Sequence, residues 1–148
     1  MEVINTEFGF SITLPDGYEE ITKSKYKEYN IDPSSTLHVF YKLGYDIPRT
    51  ISINRDDTFK STEEYEKLIN INIKSLEMIG MNIISKTTCY TDTGMRIDKV
   101  VSHFQALTFT TLFTAIKDML IASSIEIVEI DDEMDQDLFK IFSSIKLI

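Results

Sequence analysis

Between residues 81 and 130 the chain is rich in Thr, Ile, Val and Phe and poor in helix breakers. It is interrupted only by Thr91-Asp92-Thr93-Gly94 and by Lys117-Asp118, both turn-forming. Residues 81–90 and 95–106 therefore read as one hairpin, and 107–116 and 119–130 as another. Connections this short leave no room for the crossover of roughly a dozen residues that parallel strands require. Any fold for this sequence must contain four consecutive antiparallel strands.

What precedes that block supplies more strands and a helix. Phe8, Phe10, Ile12 and Leu14 alternate with Gly9, Ser11 and Thr13, the period of a half-buried strand, before Pro15-Asp16-Gly17 turns the chain. Residues 37–43 and 49–54 read as further strands, and the polar, tyrosine-rich stretch 18–36 as irregular. A helix is predicted over about 62–79, with Ser61 and Glu64 as a capping box and Gly80 as its stop. Tyr65, Leu68, Ile69, Asn72, Leu76 and Ile79 share one face of it, opposite Glu63, Glu66, Lys67, Lys74 and Glu77. Ile71 and Met78 lie off that stripe on a second flank, either as a packing contact or as an exposed strip for a subunit or client. A second helix is predicted over 133–144, capped by Asp132 and burying Met134, Leu138, Ile141, Phe142 and Ile145. The expected fold is a single α+β domain over residues 1–148. Its curved, mainly antiparallel sheet of six to seven strands is flanked by two helices as an α/β/α sandwich.

Charge removes several function classes. There are 24 acidic residues against 15 Lys plus Arg, a net charge of −9. Nucleic-acid binding depends on Lys and Arg displacing phosphate counterions, and no basic stripe is present to do so. Anionic membrane is disfavoured for the same reason. An acidic surface either keeps the protein soluble or steers a basic partner toward it. No apolar run approaches the ~20 residues of a membrane span. The start of the chain also lacks a basic segment followed by an apolar core, so the expected location is cytoplasmic.

Catalytic signatures are few, and each has a simpler reading. Asp92-Thr93-Gly94 is the aspartic-protease triplet, but a single copy would need a partner carboxylate ~3 Å away, and Asp and Gly are what a hairpin tip selects. Cys89 and His103 fail as a nucleophile and base. Hairpin pairing sets Cys89 opposite Ile97 or Asp98 and His103 opposite Ile83 or Ile84, roughly 20 Å apart along the ladder. Cys89 reads instead as a small, part-buried strand residue. Glu129, Asp131, Asp132, Glu133, Asp135 and Asp137 crowd one segment, but without the central glycine of a calcium loop. They read as helix-start capping, or else as an acidic docking rim. Scattered glycines make no phosphate loop, and two distant histidines and one cysteine make no zinc site, so no cofactor or metal is expected. The tyrosines 18, 26, 29, 41 and 45 read as rings packed on the sheet with hydroxyls outward, or otherwise as a contact surface.

The opening Phe10-Ser11-Ile12-Thr13-Leu14-Pro15-Asp16-Gly17-Tyr18, the long helix with two following hairpins, and the closing Phe139-Lys140-Ile141-Phe142-Ser143-Ser144-Ile145-Lys146 resemble the PsbP-like superfamily. The likeness spans nearly the whole chain, with Tyr18 where tryptophan is more usual. That superfamily includes photosystem II extrinsic subunits, a Ran-GTPase-binding transport factor and a large bacterial branch, some of whose members are chaperones for secreted toxins. The resemblance implies no catalytic residues. It implies a non-enzymatic protein-binding, chaperone or adaptor domain, with a homodimer in the toxin-chaperone branch. The candidate partner surface is then Ile71 and Met78 together with Glu129, Asp131, Asp132 and Glu133. The alternative is a small-ligand-binding or hydrolytic enzyme whose site gathers Tyr41, His38 and Asp98 from distant segments.

Overall fold

A computed structural model of the chain describes residues 1–44, 49–56, 62–105, 107–116, 119–127 and 132–148, with backbone alone at 49, 56, 62, 107, 119–127, 132 and 134. It opens with three short strands, β1 (Glu2–Asn5), β2 (Phe10–Thr13) and β3 (Tyr18–Glu20), then two longer ones, β4 (Thr36–Lys42) and β5 (Arg49–Asp56). Helix α1 (Tyr65–Met78) follows a 3-10 turn over Thr62–Glu64. Then come β6 (Asn82–Tyr90), β7 (Arg96–Phe104), β8 (Leu107–Ile116) and β9 (Met119–Ile127). Helix α2 (Asp132–Ser143) and a short β10 (Lys146–Leu147) close the chain.

The four consecutive strands pair as antiparallel neighbours, β6 to β7 to β8 to β9. β9 also pairs with β5, which extends the sheet to the order β3-β4-β5-β9-β8-β7-β6. One expectation is corrected here, because the strands divide between two sheets. β1, β2 and β10 form a separate three-stranded sheet that joins the two ends of the chain. A second correction is β3, which lies in the stretch read as irregular. Its three residues are too few for a period of two to show.

Strand parity decides how the layers stack. On β7 and β8, Ile97 and Leu112 face α2, whereas Val100 and Phe113 face α1. All four are 2% exposed or less, so this strand pair is buried on both sides. The larger core joins that inner sheet face, through Phe40, Ile51 and Ile53, to Phe10 and Ile12 of β2, to Leu138, Ile141 and Phe142 of α2, and to Ile145 just beyond it. Those α2 residues follow the spacing of a one-faced amphipathic helix and are buried as predicted. Residues Ile21, Tyr26 and Val39, with Ile31 and Tyr41 beside them, make a third cluster that covers the outer face at β4.

α1 buries Tyr65 and Ile69 and half-buries Leu68, Ile73 and Leu76 against β6 to β8. Its C-terminus is a Schellman motif: Gly80 N–H donates to Glu77 O (3.0 Å) and Met81 N–H to Leu76 O (3.0 Å), with Gly80 at φ +93°. Ile79, expected on the buried face, is instead 72% exposed. It sits at the cap with ψ 9°, where the chain has already left the helical period. The capping residue Ser61 lies outside the described residues, and Glu64 makes no side-chain cap bond.

Phe142 is fully buried and joins α2 to both sheets. Phe142→Ala is predicted to destabilise the fold by about 3–5 kcal/mol. Urea unfolding should show this as a lower midpoint with an unchanged slope.

Candidate functional site

Apart from the acidic segment, three places stand out, two of them buried polar clusters sealed by their own bonds. The first is Asp98, a fully buried carboxylate on the α1 side of β7. Thr88 Oγ1 donates to its Oδ1 (2.5 Å), while Tyr65 Oη (2.6 Å) and Arg96 Nε (2.9 Å) donate to its Oδ2. Arg96 also pairs with Glu66, and Glu66 lies 3.6 Å from Lys86 Nζ. The guanidinium sits 5.1 Å from the centre of the Tyr65 ring. Burial pushes the Asp98 carboxyl up, but the bonds from Thr88, Tyr65 and Arg96 outweigh it and hold the group below the ordinary 3.8. Burial, and then the bond to Asp98, drive the Tyr65 hydroxyl far above its usual range, so it stays a donor.

The second is His38 on β4, only 7% exposed. Its Nδ1 lies 2.6 Å from Glu20 Oε1 and its Nε2 lies 3.1 Å from Asn5 Nδ2. Asn5 Oδ1 accepts the Phe8 N–H at 2.9 Å, which turns the amide nitrogen toward the imidazole. Nε2 must then accept and Nδ1 must carry the proton donated to Glu20. Phe40 stacks on the ring at 5.7 Å and Phe10 meets it edge-on at 6.0 Å. This cluster ties the small sheet to the large one. Both clusters occupy opposite faces of the large sheet, so the residues Tyr41, His38 and Asp98 are not brought together. Tyr41 donates elsewhere, to Glu19 at 2.6 Å.

The acidic segment has a role that capping, docking and metal binding do not describe. Asp137 accepts from Tyr18 Oη (2.8 Å) and Lys42 Nζ (3.1 Å), Glu133 pairs with Lys42, and Asp135 accepts from Lys99 Nζ (2.8 Å). The first turns of α2 are thus pinned to sheet lysines. Exposed pairs of this kind contribute ~0–1 kcal/mol, but Lys42 and Asp137 are 13% and 12% exposed and hold each other more firmly. Glu129 and Asp131 lie outside the described residues, as does the Asp132 side chain. Among the described residues no group of His, Cys, Asp and Glu is arranged to hold a metal ion.

The third place is apolar. Ile71 is 48% exposed, Met78 87%, Ile84 61% and Phe104 40%, alongside Ile79. Ile71 and Met78 are therefore not a second packing contact. A Cβ on Gly80 would lie 3.4 Å from the Phe104 ring, so the α1 cap and the end of β7 meet there. Ile84 is the extra residue of a β-bulge between Ile83 and Ser85. The same bulge sets His103 opposite Asn82 rather than Ile83 or Ile84. Cys89 pairs with Ile97 as predicted but is exposed on the edge strand, not part-buried. Asp92-Thr93-Gly94 is the hairpin tip, closed by Thr91 N–H to Met95 O (2.9 Å) and by Gly94 at φ +85°. Tyr18 and Tyr26 are buried, Tyr29 is exposed, and Tyr45 lies outside the described residues.

Because its folded value is depressed, Asp98 stabilises the fold fully above 3.8 and ceases to do so as pH falls through that lowered value. Asp98→Asn is predicted to lose about 3 kcal/mol at neutral pH. The gap to wild type should shrink steadily in urea titrations below about pH 4. A gap independent of pH would contradict the network.

No family model matches the chain, and no curated protein matches it. Solved structures do match. The solution structure of cyanobacterial PsbP (CyanoP) from Synechocystis sp. PCC 6803 aligns with a TM-score of 0.65 at 12% identity, over 100% of this chain and 92% of that one. A crystal structure from Bacteroides thetaiotaomicron VPI-5482 aligns with a TM-score of 0.52 at 14% identity, over 99% of this chain but only 48% of that one. At these identities the likeness is one of architecture. The chain has a PsbP-like fold.

Proposed function

We propose that this chain is a non-enzymatic, cytoplasmic protein-binding domain of chaperone or adaptor type, engaging its partner through the apolar end where α1 meets β6 and β7. One observation carries the reading: Met78 and Ile79, at 87% and 72% exposed, close α1 where Gly80 meets the 40% exposed Phe104, and Ile71 lies two turns back on the same flank. Single exposed apolar side chains are ordinary on any protein, whereas a gathered group marks a contact surface. Fully burying each would contribute about 1.5–3 kcal/mol. Four of them can offset much of the roughly 4–15 kcal/mol that association costs. The polar clusters support the same reading, because Asp98 and His38 are each bonded to partners within their own cluster.

Charge selects among partners. With a net charge of −9, two copies repel, so a homodimer through this end is less favoured than a partner with a basic rim. Binding driven in this way associates faster at low salt and loses that advantage as ionic strength rises.

The test is a pull-down from the native lysate with wild type and with the double variant Ile71→Asp, Met78→Asp. Both positions are exposed, so the melting temperature should move by less than about 4 °C. Proteins retained by wild type and released by the variant support the reading. An identical set on both contradicts it.

A further inference from the structure

At the far end of the outer sheet face from α1 lies a cleft of about 350 Å³, within the range of small-molecule sites. Its apolar floor is Ile21, Ile31 and Val39, and the outer face of β5 lines it with Thr50, Ser52 and Asn54. Tyr29 and Asp32 also line it, both from the segment that crosses β4. This cleft shares no residue with the apolar end.

The polar groups are open toward a ligand. Asp32 Oδ1 accepts both the Ser34 N–H (2.9 Å) and the Ser34 hydroxyl (2.8 Å), leaving Oδ2 with no protein donor among the described residues. The Ser34 backbone bond, then its hydroxyl, hold the Asp32 carboxyl below its usual range, so it accepts at neutral pH. Asn54 Nδ2 donates to Ser52 Oγ (3.1 Å), and the Ser52 hydroxyl hydrogen and the Asn54 carbonyl have no partner among the described residues. The lining is therefore hydroxyls, one amide, one carboxylate and one phenol ring, with no Lys, Arg or His among its described residues.

That inventory excludes as much as it admits. A phosphate or carboxylate guest would meet Asp32 without a cation to answer it, in a protein that already carries −9. An ammonium guest would gain little, because the Asp32 carboxylate is exposed to water. What fits is an uncharged molecule with several hydroxyls on one side and C–H groups on the other. The hydroxyls meet Asp32, Ser52 and Asn54, and the C–H face meets Tyr29 and the apolar floor. From this lining we propose that the cleft is a binding site for a small neutral polyhydroxylated ligand of the sugar class.

Saturation-transfer NMR with the methyl glycosides of glucose, galactose and mannose tests this, with methyl phosphate and ethanolamine as the anionic and cationic probes. An open cleft of this size predicts about millimolar affinity for a glycoside. Tyr29→Ala and Asp32→Ala should each weaken it roughly tenfold. Thr50→Arg, at an exposed position, should abolish it by filling the cleft, with far-UV dichroism unchanged in all three. No transfer from any glycoside at about 20 mM, well above that affinity, would overturn the proposal. So would transfer that all three substitutions leave unaltered, or preference for methyl phosphate or ethanolamine. The double variant Ile71→Asp, Met78→Asp should bind glycoside as wild type does, so failure here is separable from failure of the protein-binding reading.

Discussion

Burial of β7 and β8 on both faces is the constraint from which the rest follows. An antiparallel sheet can leave one side to water, but Ile97 and Leu112 project to one side while Val100 and Phe113 project to the other. Each side must be covered. α2 and the small sheet close one, and α1 closes the other. Once the helices are committed in this way, their own outward faces and the strand edges are what remains exposed.

The same constraint explains why the carboxylate and imidazole clusters point inward and find their partners there. Asp98 falls between Ile97 and Lys99 on a doubly covered strand, so parity alone sends its carboxylate beneath α1. A charge there is tolerable only with donors on both oxygens, and Tyr65, Thr88 and Arg96 supply them. His38 and Asn5 repeat the solution on the opposite face, as do Lys42, Lys99 and Tyr18 for α2. These groups hold layers together, so the proposed recognition falls to the apolar end and to the open cleft over β5.

How much of this is legible beforehand depends on the range of the interaction. The hairpins and the apolar stripe of α2 are local periodicities, and residues 81–116 and 138–145 display them directly. Ile79 misleads because a Schellman cap rotates it off the helical period, and His103 because one bulged residue, Ile84, shifts the ladder. The second sheet is hidden for a different reason: β1 and β10 lie at opposite ends of the chain, and neither is long enough to announce itself. Lys42 meeting Glu133 and Asp137 is likewise a contact between distant segments. Of the apolar end, Ile71 and Met78 are visible as a flank off the main stripe. Ile84 and Phe104 sit in strands that carry apolar residues on both faces, where nothing local separates outward from inward.

Site-specific photo-crosslinking from position 78 in the native host tests the central claim most directly, since it reports what touches that end in place. A benzophenone side chain there should yield one or a few discrete adducts. The same group at the exposed Asn30, at the far end of the same sheet face, should not yield them. No adduct at 78, or the same adducts from both positions, would mean that the apolar end is bare surface and that the function lies elsewhere.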